Sequence, residues 1–90
     1  MLTLGSRVRL APGNCLRYDP ARARWVLQGP GRLLELDDVA RAVLERTDDH
    51  PVSLLCETLA SDFAAPLAVM QADVLALLAA MNQGGFLRYD

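Results

Sequence analysis

A chain of 90 residues, with 52% hydrophobic and 22% charged residues, has enough apolar material for one core and lacks the composition of a disordered segment. No apolar stretch reaches the roughly 18 residues that a membrane span needs, and residues 1–13 hold no run typical of a signal peptide. The composition therefore predicts a single cytoplasmic domain over residues 1–90, outside the membrane.

The charge divides the chain into two parts. Residues 1–36 contain six arginines and two acids, whereas residues 37–90 contain three arginines and nine acids, and there is no lysine. Arginine presents a planar, forked guanidinium group that suits carboxylates. The basic part therefore favours contacts with carboxylates over a general affinity for polyanions.

Turn signals separate short runs rich in Leu, Val, Tyr and Trp in the basic part. The turn signals lie at residues 11–14, 19–21 and 29–31. The runs between and after them predict strands at about 15–19, 24–28 and 32–36. Because Pro30 presets the first central φ of a type II turn and Gly31 tolerates the positive φ of the second, the last two strands should form a tight hairpin. The period of two places Arg17 and Arg24 on a solvent face.

From Asp37 onward the apolar period becomes helical. Asp37 or Asp38 can cap a first helix that ends near Thr47. A second helix is predicted to open at His50-Pro51, with proline at its first position, and to end near Phe63. The predicted fold is α+β, with three short antiparallel strands at about 15–36 followed by three helices at about 37–83.

The third helix is predicted from Ala65-Pro66 to Gln83, where Gly84-Gly85 ends it. One apolar stripe spans about 100° of this helix and predicts its core face: Leu67, Met70, Val74, Leu77, Leu78 and Met81. A second stripe of small residues lies roughly 130° away on the helical wheel: Ala68, Ala72, Leu75 and Ala79. Alanine can fill such positions simply as a good helix former, or the small side chains can leave a shallow groove for another backbone.

No pattern in the chain is typical of an active site. The phosphate-binding, dinucleotide-binding and zinc-protease motifs are absent, and His50 has no partner acid or second ligand at a recognisable spacing. Cys15 and Cys56 are far apart without histidine nearby, which predicts two reduced thiols and no zinc site. Helix capping explains the acidic pairs Asp37-Asp38 and Asp48-Asp49. The sequence therefore predicts a binding protein with no catalytic residue, metal or cofactor.

Strands followed by three helices also suit a winged-helix DNA-binding protein. From Thr47 to Leu87, however, there is no arginine or lysine. A recognition helix without cations lacks the counterion release that supplies most DNA affinity. The sequence therefore argues against nucleic acid as a partner.

The third predicted strand should have an open edge, because the chain leaves the sheet after Leu36. A partner peptide could add there as a further strand, with the small-residue stripe as the wall of a side-chain pocket. The alternatives are that Arg32 and Glu35 blunt the edge with their charges, or that a second copy of the chain pairs with it in a homodimer.

The order and spacing of five short segments resemble the PqqD family, the pyrroloquinoline quinone (PQQ) biosynthesis proteins D, which is the archetype of the recognition elements for ribosomally made, modified peptides. These segments are Leu10–Gly13, Leu16–Tyr18, Trp25–Leu27, Gly31–Leu36 and Gly84–Leu87. The chain departs from the family pattern at Asp37–Val39 and at His50–Val52, although both segments can still open a helix.

The resemblance implies a peptide chaperone whose fold is similar to a winged helix-turn-helix. Such a protein would bind the precursor peptide PqqA as a strand added between the third strand and the third helix, and present it to the radical S-adenosylmethionine enzyme PqqE. It would hold no cofactor of its own. By position, the peptide-contacting residues would be Arg32, Leu33, Leu34, Glu35 and Leu36 together with Ala68, Ala72, Leu75 and Ala79.

Overall fold

The computed structural model describes the backbone of residues 1–90 and the side chains of residues 1–47 and 50–90. Over this backbone the chain forms six strands and three helices. In chain order they are β1 (Arg7–Leu10), β2 (Cys15–Asp19), β3 (Arg24–Gly29), β4 (Arg32–Glu35), α1 (Asp38–Glu45), β5 (Asp48–Pro51), α2 (Val52–Asp62), α3 (Leu67–Gln83) and β6 (Leu87–Tyr89). The predicted α+β class is confirmed, and β2, β3 and β4 are the three predicted strands.

The predicted strands form an antiparallel sheet in the order β2-β3-β4. Gly29 pairs with Arg32 across a two-residue loop, and Gly31 in that loop has a φ of +70°. Positive φ is accessible to glycine because it has no Cβ. The tight hairpin predicted from Pro30-Gly31 is therefore present.

A second antiparallel sheet, in the order β5-β1-β6, was not predicted. Its central strand β1 pairs with β5 on one side and with β6 near the end of the chain on the other. All three strands are short, and β5 ends at Pro51, which is a poor residue for a strand interior. The three strands form because pairing between distant segments satisfies their backbone N–H and C=O groups. Local sequence patterns do not predict such pairing.

The start of α2 differs from the prediction. Pro51 is the residue before the helix, and Val52 is the first helical residue. The Val52 N–H donates to the Ser6 carbonyl at 2.9 Å, and the Ser53 N–H donates to the Leu4 carbonyl at 2.8 Å. These contacts satisfy N–H groups that a helix start leaves without intrahelical partners. The predicted capping role of Asp48-Asp49 lies outside the described side chains.

The other helix ends follow the sequence signals. The Asp37 side chain accepts a hydrogen bond from the Ala40 N–H at 2.7 Å, as expected of a capping residue. At the end of α3, Gly85 has a φ of +81°, its N–H donates to the Asn82 carbonyl, and the Phe86 N–H donates to the Met81 carbonyl. This pair of bonds is the Schellman motif, which glycine favours.

One hydrophobic cluster joins both sheets and all three helices. Four α3 residues are buried in it, namely Met70, Val74, Leu78 and Met81. The predicted core stripe is too wide at two positions, because Leu67, at the first position of the helix, is 42% exposed and Leu77 is only partly buried. A helical wheel gives direction around the axis, whereas burial also depends on which elements cover each turn. Leu77 is thus the partly exposed member of the stripe near the end of α3.

Candidate functional site

Strand β4 lies at the edge of its sheet. It pairs with β3 on one side, and within the described backbone no strand pairs with its other side. The N–H of Leu36, just after β4, donates to the Trp25 carbonyl at 3.0 Å. Because backbone direction alternates along an antiparallel strand, Arg32 and Leu34 also direct their polar groups toward β3. Leu33 and Glu35 then direct their N–H and C=O groups toward the open edge.

The β4 side chains divide between the two faces of the sheet. Leu34 is paired with Leu27, which is fully buried, so Leu34 and the same-face side chain of Arg32 lie toward the helices. Leu33 and Glu35 lie on the outer face, where Arg24 forms an ion pair with Glu35 at 3.5 Å. The Leu36 side chain is 6% exposed and belongs to the core. Of the five predicted positions on this strand, only Arg32 and Leu34 face the helix side with exposed surface.

An apolar groove of about 330 Å³ lies beside this edge, between β4 and the last turns of α3. It is lined by Leu34, Leu77, Ala80, Met81 and Phe86. A groove of this composition can accept an apolar side chain from a strand placed along β4. Edge and groove together give hydrogen-bonding groups and an apolar pocket within one short stretch of surface.

Phe86 is brought into the groove by the way α3 ends. Its position directly after Gly84-Gly85 is the one at which a hydrophobic residue often packs back on the last turn of a Schellman motif. A Cβ on Gly84 would lie 3.1 Å from the Phe86 ring, so glycine leaves room for the ring. The sequence signal for Phe86 was therefore present, as an apolar residue following a helix stop.

Arg32 joins β4 to the end of α3. Its guanidinium carbon lies 4.0 Å from the centroid of the Phe86 ring, in the geometry of a cation–π contact. Its Nη1 donates to the Gly84 carbonyl. A cation at this position is also favoured by the negative end of the α3 dipole. Arg32 therefore lies at one end of the groove, held by the residues that form it.

The small-residue stripe lies on a different side of α3. At about 100° per residue, its centre is about 160° around the helix from Leu77, Ala80 and Met81. None of its members lines the groove beside Leu34: Ala68, Ala72, Leu75 and Ala79. The three alanines are exposed, and Leu75 is partly buried against the core. The structure thus brings Arg32 and Leu34 together with Leu77, Ala80 and Phe86, and separates them from the stripe.

The groove residues of α3 carry no distinguishing signal in the sequence. Leu77 and Met81 share a wheel face with Leu78, so the apolar period assigned all three to the core. Ala80 belonged to neither stripe. Only the position of β4 distinguishes the groove side of this face from the buried side.

The described histidine and cysteine residues lie outside the groove. Among the described side chains, no three His, Cys, Asp or Glu residues lie together as a possible metal site. Cys15 is exposed and Cys56 is buried, both as free thiols. His50 is exposed. None of the described helices has the length and apolar character required to span a bilayer.

Comparison with known proteins places the chain in a family. A family model described as "Coenzyme PQQ synthesis protein D (PqqD)" matches residues 18–87. The chain belongs to the PqqD family. Relatives named "PqqA binding protein" include one from Xanthomonas axonopodis pv. citri that is 39% identical and one from Xanthomonas oryzae pv. oryzae that is 38% identical. Each alignment covers 97% of this chain and 96% of the relative.

Solved structures of PqqD proteins share the fold. The solution structure of the PqqD part of Methylobacterium extorquens PqqCD, described as a functional and stand-alone recognition element for ribosomally synthesized and post-translationally modified peptides, matches with a TM-score of 0.78. It is 38% identical, and the match covers 90% of this chain and 87% of that one. The crystal structure of PqqD from Xanthomonas campestris matches with a TM-score of 0.61 at 37% identity, over 86% and 87% of the two chains. The predicted family and fold are confirmed.

Proposed function

We propose that this PqqD-family chain is a peptide chaperone of PQQ biosynthesis that binds the precursor PqqA as a strand added to the open edge of β4. The observation that carries the proposal is that the open edge of β4 runs beside the apolar groove formed by α3 and Phe86. Relatives that align along nearly the whole chain carry the name PqqA binding protein, which supports PqqA as the guest.

The proposed binding mode divides affinity and selectivity between backbone and side chains. The N–H and C=O groups of Leu33 and Glu35 would hydrogen-bond the guest backbone, which gives affinity without regard to sequence. The groove around Leu34, Leu77 and Phe86 would accept one apolar guest side chain and give selectivity. Leu36, whose side chain is in the core and whose N–H donates to the Trp25 carbonyl, would hold β4 in the sheet without contacting the guest.

A substitution that removes one backbone N–H distinguishes strand addition from binding through side chains alone. Proline at position 33 removes the N–H that points toward the open edge, while the bonds to β3 through Arg32 and Leu34 remain. We expect Leu33→Pro to weaken PqqA binding about fivefold or more, as loss of one interstrand hydrogen bond and its geometry implies. Isothermal titration calorimetry measures the change, with amide spectra to check the fold.

The matched control is Leu33→Ala, which shortens the same side chain and retains the N–H. Equal loss of affinity in Leu33→Pro and Leu33→Ala would mean that the side chain matters, not strand addition. Titration of isotope-labelled protein with PqqA, followed by NMR chemical shifts, is a second test. Chemical-shift changes absent from residues 32–36 and 77–86 would contradict binding at this edge.

The stripe Ala68, Ala72, Leu75 and Ala79 stays a prediction as a peptide-contacting surface. The groove beside Leu34 makes Leu77, Ala80 and Phe86 the better candidates, because they share a pocket with β4. The two surfaces are far enough apart on α3 that single substitutions can distinguish them.

We further propose that the bound precursor is presented to PqqE in the cytoplasm, and that this chain itself catalyses no step. Membership of the PqqD family supports this role. If presentation is correct, modification of PqqA by PqqE should depend on this chain, and Leu33→Pro should reduce the yield of modified peptide while Leu33→Ala retains it. A rate independent of this chain would contradict presentation without affecting PqqA binding.

Homodimerisation through the same edge is the second candidate, because an open β4 edge could equally pair with another copy of itself. Light scattering across a concentration series measures the mass. A dimer that dissociates when PqqA is added, and that Leu33→Pro abolishes, would show that both partners use this edge.

A further inference from the structure

We infer that Arg32 selects a carboxylate on the guest strand, two residues away from the apolar side chain that enters the groove. The inference rests on the proposed function, because it presumes a guest strand along β4. It adds the chemical class of guest that this edge accepts: a segment in which an acidic and an apolar residue are separated by one residue.

Arg32 differs from the arginines that are already neutralised within the described part of the chain. Five arginines there each have a carboxylate oxygen within 3.5 Å: Arg9, Arg22, Arg24, Arg41 and Arg46. Arg32 instead donates to the Gly84 carbonyl and lies over the Phe86 ring, with no described acidic side chain in ion-pair contact. Its positive charge therefore has no carboxylate partner among the described side chains.

The Arg32 guanidinium group has more N–H donors than the Gly84 carbonyl uses. It carries five N–H donors, and the Gly84 carbonyl uses Nη1. A carboxylate can accept two parallel hydrogen bonds from one edge of a guanidinium group. Arg32 can therefore keep its contacts with Gly84 and Phe86 and still bind a guest carboxylate, without leaving the end of the groove.

The strand geometry fixes the spacing in the guest. Arg32 and Leu34 are two residues apart on the helix-facing side of β4, and residues paired across strands share a face. A guest residue opposite Arg32 and one opposite Leu34 must then also be two residues apart. This spacing holds for either direction of the added strand, while the order of the two guest residues depends on that direction.

The negative end of α3 makes the proposed preference for a guest carboxylate depend on the Arg32 charge. The Gly84 carbonyl lies at the C-terminal end of the helix, where the dipole and the free carbonyl groups are negative. Without the Arg32 cation, a guest carboxylate at this place would meet that negative end. Loss of the guanidinium charge should therefore reverse the preference for an acid over its amide.

The test is a cycle of substitutions in protein and guest, measured by titration calorimetry. PqqA is used unsubstituted and with each Asp or Glu changed singly to its amide, against the unsubstituted chain, Arg32→Gln and Arg17→Gln. Arg17 is an exposed arginine on β2, away from the groove, and serves as the matched control. We expect one amide substitution to weaken binding to the unsubstituted chain and to Arg17→Gln about fivefold. The same substitution should not weaken binding to Arg32→Gln.

The results separate this inference from the proposed function. If PqqA binds and no amide substitution weakens binding, the inference is overturned while peptide binding stands. The same holds if the effect is equal in the unsubstituted chain and Arg32→Gln. If unsubstituted PqqA does not bind the unsubstituted chain, the proposed function fails and the inference falls with it. Should Arg32→Gln unfold, Arg32→Lys takes its place in the cycle, since it keeps the charge but loses the forked geometry and should show a reduced effect.

Discussion

At the scale of single residues, Asp19 is the buried acid among the described side chains. Its Oδ1 accepts a hydrogen bond from the Ala21 N–H at 3.0 Å, and its Oδ2 accepts one from Arg22 Nη1 at 2.7 Å. The Arg22 side chain, together with the backbone N–H groups of Ala21 and Arg22, lowers the pKa of Asp19 below its usual 3.8, although burial opposes the shift. This carboxylate closes the loop between β2 and β3.

The lowered pKa predicts how acid affects stability. The folded chain holds the Asp19 carboxylate more strongly than the unfolded chain does, so this contribution is complete above the unfolded pKa and is lost as pH falls through the lowered folded pKa. We expect Asp19→Asn to lower Tm at about pH 7 and to flatten the fall in Tm below about pH 4. Thermal melts followed by circular dichroism across pH measure both effects. Asp73→Asn, at an exposed position on α3, is the control and should leave Tm at about pH 7 unchanged.

The two thiols should differ in reactivity. Cys15 is exposed, whereas Cys56 is fully buried, and burial together with the nearby Glu57 raises the pKa of the Cys56 thiol. Since the thiolate is the reactive form, we expect one thiol to react at once with a disulfide reagent and the other only on unfolding. In Cys15→Ser the fast phase should disappear. A fast phase that persists in that variant would mean that Cys56 is accessible in the folded chain.

At the scale of elements, α3 contains two surfaces that the sequence did not separate. Leu78 is 1% exposed in the core, Leu77 lines the groove, and Leu75 lies partly buried on the side of the small-residue stripe. The apolar period placed Leu77 with Leu78, because both project toward the same half of the helix. Only packing against the sheet reveals that Leu78 is covered and that Leu77 stays partly exposed in the groove.

Three aspartate substitutions on α3 distinguish these surfaces. Leu78→Asp should unfold the domain, since it buries an unpaired charge at a cost of about 3 kcal/mol or more. Leu77→Asp should weaken PqqA binding about tenfold with the fold retained, because it places a charge in an apolar pocket. Leu75→Asp should have the smaller effect on binding. Titration calorimetry measures binding, and thermal melts measure stability. A larger loss of binding in Leu75→Asp than in Leu77→Asp would indicate that the peptide contacts the small-residue stripe.

The elements that the sequence predicted are those with local causes. The β3–β4 hairpin follows from Pro30-Gly31, α1 from the Asp37 cap, and α3 from its length and its Gly84-Gly85 stop. Strands β1, β5 and β6 have no comparable local signal, because each is short and forms only against a partner far along the chain. The start of α2 shifted for the same reason, since the Val52 and Ser53 N–H groups find carbonyls in residues 4–6.

At the scale of the whole molecule, the distribution of charge argues against the alternative of a winged-helix DNA-binding protein. Helices α2 and α3 contain no arginine or lysine, so neither can contribute cations to a nucleic-acid groove. We expect no saturable binding of duplex DNA at about 0.15 M salt, measured by fluorescence anisotropy under the conditions of the PqqA titration. Saturable DNA binding that weakens steeply with salt would contradict this expectation.

The sequence by itself determined the α+β class, the hairpin, the helix ends set by Asp37 and Gly84-Gly85, and the lack of an enzyme motif, because each depends on residues close together in the chain. It also indicated β4 as an edge, since the chain leaves the sheet at Leu36. The second sheet and the groove were decided by tertiary structure alone. Leu34, Leu77 and Phe86 come from segments separated by up to about 50 residues, and a pocket between them exists only once the sheet packs against α3.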